Sequence, residues 1–218
     1  MPRAAICTLP PPAGILACLL LLAPAARAQD ELRLGGTPTL SFAPPPGAAP
    51  VPSAPEPPKA FGRKGSQWWT VGAGFAHSFD DVNDLNLPRV AWSVFLADDV
   101  EFSIELNGWF FNQPGDNAIG INPSMVFRWH FINSGPWTVY GDVGVGLLAA
   151  TDNVPEGGTP FDFMPRIGVG FTRQLNDAGL RLQGGVRWHH ISNARITGDF
   201  HNPGRDAPFI YAGLMWPF

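Results

Sequence analysis

From Gln67 to Phe218 apolar side chains recur at every second position in eight stretches. A period of two belongs to β-strands with two unlike faces, so this region can fold only into sheet. The first stretch sets Trp69, Val71, Ala73 and Phe75 on one face. The third sets Val100, Phe102, Ile104 and Leu106 against Glu101, Ser103, Glu105 and Asn107. The last closes the chain with Ile210, Ala212, Leu214, Trp216 and Phe218. Stretches of roughly 9–14 residues suit tilted membrane strands and are long for a soluble sheet. The connections alternate in length. Residues 97–99, 133–135 and 176–179 are short, 80–88, 151–160 and 193–206 are long and polar, and 112–116 is intermediate. Short periplasmic turns with longer outer loops are the habit of outer-membrane barrels. Aromatic residues fall into two candidate rims, one with Trp68, Trp69, Trp129, Trp137, Trp216 and Phe218, the other with Trp109, Phe110, Phe111, Phe161, Phe163 and Trp188. The expected fold is all-β, an eight-stranded antiparallel transmembrane β-barrel of the bacterial outer membrane over residues 66–218. A soluble sandwich or lipocalin-like barrel would show the same alternation with its apolar face inward. The aromatic rims, the terminal Phe218 and the N-terminus favour the membrane form.

That N-terminus reads as a signal peptide over residues 1–28. Arg3 is its basic region, Ile15 to Ala25 its apolar core, and Ala26-Arg27-Ala28 fits the small-x-small cleavage rule. Lipidation at Cys18 is the alternative, but Leu19 to Leu22 still follow it within the apolar run. Residues 29–65 are rich in Pro and Ala, with Pro44-Pro45-Pro46 and Pro57-Pro58, and read as a disordered periplasmic leader. Both cysteines, Cys7 and Cys18, lie in the signal, so the mature chain would hold no disulfide, thiol nucleophile or Cys-based metal site. Without Arg3 and Arg27 it would carry 12 basic and 18 acidic residues, a net −6 with no basic block, which argues against nucleic acid as a partner. Outside the signal no apolar run reaches 18 residues, so any membrane crossing is by strands.

Reactive side chains concentrate in Trp188-His189-His190-Ile191-Ser192-Asn193-Ala194. Parity sorts them. Leu182, Gly184, Val186 and Trp188 form the lipid-facing series, which His190 and Ser192 continue, whereas His189 joins Gln183, Gly185 and Arg187 inside. A His and a Ser two apart on one face are near enough for an imidazole to reach a hydroxyl. The plain alternative is that both mark the start of a wet loop. His130 and His189 sit in the lumen series with Glu101, Glu105, Arg128, Asp142, Arg166 and Arg187, and read as a satisfied polar core that fills the barrel. No phosphate-cradling loop or zinc spacing is present, and no cofactor is expected.

His190-Ile191-Ser192-Asn193-Ala194, followed by Asn202-Pro203-Gly204-Arg205-Asp206, resembles the C-terminal signature of the lipid A 3-O-deacylases, the PagL-type enzymes also called acyloxyacyl hydrolases. The stretch Phe161-Asp162-Phe163-Met164-Pro165-Arg166-Ile167-Gly168-Val169-Gly170 is similar to their sixth strand. The resemblance implies an outer-membrane esterase that removes the 3-O-linked acyl chain of lipid A in lipopolysaccharide. It implies Ser192 as nucleophile, His190 as general base, Asp206 as the acid that orients it, and Asn193 as an oxyanion-hole donor. The substrate would be lipid A in outer-membrane lipid, and a homodimer stays open. Two departures stand out. The family acid is usually Glu, so Asp206 is one methylene shorter, with Asp199 as the fallback acid, and Arg195 replaces a small residue. A non-catalytic small barrel with a structural or adhesive role is the alternative function.

Overall fold

The computed structural model describes residues 60–79 and 82–218. The signal peptide and the leader up to residue 59 lie outside these. Eight antiparallel strands close on themselves in chain order. They are β1 (Gln67–His77), β2 (Asn83–Ala97), β3 (Val100–Asn112), β4 (Ala118–Asn133), β5 (Trp137–Val154), β6 (Thr159–Gln174), β7 (Arg181–Ile191) and β8 (Arg205–Pro217), with a 3-10 turn η1 (Asp199–His201) between the last two. The seam joins β1 to β8 from Trp68 opposite Pro217 to Ala76 opposite Phe209, so the sheet has no free edge. The strands run to 18 residues in β5, longer than the sequence spacing suggests. Consequently the link expected over 151–160 shrinks to residues 155–158, because pairing continues above the height a bilayer needs.

Alternation holds around the wall. Ile104, Ile121, Met125, Val143, Ile167, Val169 and Ile210 are exposed, while the residues that alternate with them point inward and are buried or half-buried. An exposed apolar belt of this kind is stable only against lipid. Three members of the expected aromatic rims do not belong to it. Trp68, Trp109 and Phe111 occupy inward positions and are buried, because a neighbour in sequence takes the opposite face.

The lumen is filled. Glu105 receives hydrogen bonds from Arg89 at 2.8 Å, from both Nη atoms of Arg187 at 3.0 Å, and from Arg128. Arg187 also binds Asp142 at 2.8 Å, and Arg128 binds Glu101 at 2.8 Å. Burying charge is tolerable only with such pairing. Tyr140 and Tyr211 meet hydroxyl to hydroxyl at 2.7 Å across the interior. There Gly170 is required, since a Cβ would lie 2.5 Å from the Tyr140 hydroxyl. His130 is satisfied by Thr138 at 2.9 Å and Glu101 at 3.0 Å. His189 differs from the expected satisfied core: its Nε2 has no partner, and the ring is held between Trp109 and Phe209.

Residues 60–65, expected in the leader, belong to the barrel unit. Phe61 packs on Trp68, Phe95 and His130, with the Arg181 guanidinium 4.0 Å from its ring centre. The Gly65 N–H donates to the Phe95 carbonyl of β2 at 2.7 Å, and the Asp99 N–H of the β2–β3 connection donates to the Gly62 carbonyl at 2.8 Å. Asp98 accepts from the Lys64 N–H and from Arg63, and these contacts hold its carboxyl below the usual range.

Candidate active site

β7 and β8 pair with His190 directly opposite Asp206. On either side of these two, Ile191 and Ala207 point inward into an apolar cluster with Trp109, Phe111, Leu148, Met164 and Phe209. Arg205 points inward as well and binds Asp84 at 2.7 Å. The buried neighbours fix both strand ends, and alternation then turns His190 and Asp206 outward together. Their side chains are 39% and 44% exposed.

His190 Nδ1 lies 2.9 Å from Asp206 Oδ1. With the proton on Nδ1, the contact leaves Nε2 unprotonated and directed away from the acid. The shorter Asp therefore reaches. Trp188 Nε1 donates to the same Oδ1 at 3.0 Å, a second donor that sequence reasoning placed only in the lipid-facing belt. A Trp two residues before the His on the same face was the available signal. Gly204, at φ +67°, brings its backbone against the imidazole, and a Cβ there would stand 3.2 Å from His190 Cε1. Asp199 is not brought to the histidine. It lies in η1 and pairs with Arg195 at 3.2 Å.

Ser192 extends the β7 pairing by one residue. It exchanges both backbone hydrogen bonds with Phe163, at 2.7 and 3.1 Å, and stays half-buried on the outward face. In the same register Pro165 falls opposite His190, where it has no N–H to give the ladder. Among the described residues no hydrogen bond joins Ser192 Oγ to His190. Asn193 turns inward and is buried. Its Nδ2 serves Thr159 at 3.2 Å, Thr197 at 2.9 Å and the His201 carbonyl at 2.6 Å. Its Oδ1 accepts from the Arg195 N–H at 2.8 Å, and its own N–H donates to Asn202 at 2.9 Å. Asn193 is thus the centre of the loop between Ser192 and Gly204.

An imidazole held by a carboxylate beside a serine is an arrangement suited to acyl transfer, and it stands on the barrel's outer wall. The sequence model of the lipid A 3-O-deacylase (PagL) family matches residues 84–214, more than half of the chain and all of the segment just described. The chain belongs to the lipid A 3-O-deacylase family. As a member it is a barrel of the bacterial outer membrane. Among solved structures it is similar to the outer membrane enzyme PagL, at 17% identity and TM-score 0.56 over 68% of this chain and 99% of that one. It is also similar to Neisserial surface protein A, at 14% identity and TM-score 0.53 over 70% of this chain and 96% of that one. These likenesses establish the fold; the family match bears on the chemistry. Among curated proteins none matches the chain in sequence.

Proposed function

We propose that this lipid A 3-O-deacylase family member hydrolyses the 3-O-linked acyl ester of lipid A through Ser192, His190 and Asp206. The observation that carries the reading is the 2.9 Å contact of His190 with Asp206 on the lipid-facing wall, two residues from Ser192. Catalytic hydrogen bonds often tighten only around substrate, and a serine hydroxyl can turn about its Cα–Cβ bond among staggered rotamers. Nε2 takes the Oγ proton as Oγ bonds to the ester carbonyl carbon. Collapse of the tetrahedral intermediate breaks the bond to the sugar oxygen, which receives that proton from His190. Water then attacks the acyl-enzyme, giving its proton to Nε2, and the fatty acid leaves as Ser192 is reprotonated. Asp206 holds the tautomer and stabilises the imidazolium in both halves.

Asn193 fits an indirect part in oxyanion stabilisation. Its amide hydrogens are committed to the loop, so it shapes the backbone following Ser192, and it would have to release an acceptor to donate to an oxyanion itself. A substrate that stays in the bilayer suits a site facing lipid. Expression in cells with 3-O-acylated lipid A, followed by mass spectrometry, is the test. Wild type should remove one 3-hydroxyacyl group, and Ser192→Ala should remove none while remaining a heat-modifiable, folded barrel. Undiminished deacylation by Ser192→Ala would overturn the nucleophile assignment.

A further inference from the structure

We infer that Arg195 is a specificity-determining residue that binds a phosphate group of the lipid substrate. The inference rests on the deacylase reading above. Among the described residues of the four outer connections Arg195 is the one exposed arginine or lysine, whereas Asp116, Glu156 and Asp199 there, and Asp152 near the end of β5, are acidic. An anionic lipid approaching this end meets a negative surface with a single guanidinium, three residues from Ser192.

The loop holds that residue at a conformational cost. Ala194 and Arg195 have φ of +52° and +62°, a region that non-glycine residues rarely adopt, and Asn193 Oδ1 fixes the turn by accepting the Arg195 N–H at 2.8 Å. The side chain is 73% exposed, and its Nε faces Asp199 Oδ1 at 3.2 Å. Nη1 and Nη2 have no partner among the described residues, so the two-pronged edge of the guanidinium remains open to a phosphate. In the same loop, Ile196 and Phe200 are 71% and 98% exposed. A loop that carries one cation and bare apolar side chains matches an amphiphile whose charged head lies beside its acyl chains. Lipid A has that character: a phosphorylated glucosamine disaccharide with the scissile ester close to the sugar.

The test compares the full-length protein in detergent micelles on bisphosphorylated lipid A and on its phosphatase-treated, phosphate-free form. Wild type should favour the phosphorylated lipid in kcat/KM. Arg195→Asn, chosen because Asn tolerates a positive φ, should lower that preference about tenfold, mainly through KM. Arg195→Lys, which keeps the charge and loses the two-pronged edge, should retain only part of it, and Asp199→Asn should raise it by freeing Nε. A preference unchanged in Arg195→Asn, or a loss falling equally on both lipids, would overturn the inference. Binding to the Ser192→Ala protein separates this from the deacylase reading. Weaker binding of phosphorylated lipid A on adding Arg195→Asn supports the phosphate site even without hydrolysis, and equal binding with and without Arg195 refutes it.

Discussion

Asp206 accepts two hydrogen bonds on one oxygen, from His190 at 2.9 Å and Trp188 at 3.0 Å. Two donors orient a carboxylate more firmly than one. Trp188→Phe keeps an aromatic ring in the lipid belt and removes only the N–H. We expect kcat to fall about tenfold, the equivalent of ~1.4 kcal/mol, with heat-modifiability on gels unchanged. An undiminished kcat would show that Trp188 serves the belt alone. The neighbouring histidines make a sharper contrast. His190 faces Asp206 outside, while His189 is wedged between Trp109 and Phe209 inside. His190→Ala should be folded and lose several orders of magnitude in rate. His189→Ala should retain activity and lose about 2–5 kcal/mol of stability, since the change empties a packed site more than it breaks a hydrogen bond. Denaturant unfolding beside deacylation assays checks both, and the opposite pattern would mean the register of β7 is wrong.

The end of β7 and the loop after it act as one element. Ser192 is tied to β6 through Phe163, and Asn193 binds Thr159, Thr197, the His201 carbonyl and Asn202. One buried amide thereby sets the path of ten residues. Asn193→Ala would leave several polar groups without partners, a change that costs about 1–3 kcal/mol for each group buried. The barrel should still form, because its ladder is untouched. The loop should be cut faster by trypsin after Arg195, and deacylation should fall in parallel. Intact proteolytic resistance with lost activity would instead point to direct contact between Asn193 and the oxyanion. The outward parity of His190, Ser192 and Asp206 was legible in the sequence, because alternation is a property of each strand taken alone. The role of Asn193 was not, since its partners lie up to 34 residues away and nothing in the local pattern names them.

Across the whole molecule, stability converges on Glu105. One carboxylate faces Arg89, Arg128 and Arg187, with Arg166 at 3.5 Å. Removing it leaves four guanidiniums in a closed lumen with too few anions. Glu105→Ala should cost about 3–5 kcal/mol, seen as a lower urea midpoint in detergent. The contacts proposed for catalysis lie on the outer wall, so protein that does fold should deacylate normally; a stable Glu105→Ala barrel would mean that water or a counter-ion replaces the carboxylate. The same filled interior leaves no open channel through the described barrel, and the residues proposed for catalysis stand on its outer surface.

The sequence by itself determined the strand number, the two faces of each strand, and hence which of two adjacent histidines turns to lipid. These follow from the period of two, which local backbone sterics impose without reference to the rest of the chain. Tertiary structure decided what joins residues distant in sequence. Closure of the barrel sets β7 against β8 so that His190 meets Asp206, and the fold of the loop gives Asp199 to Arg195 instead. It also drew Phe61 onto the barrel's end. Register and loop path depend on contacts across the whole sheet, and a pattern read along one strand carries no measure of them.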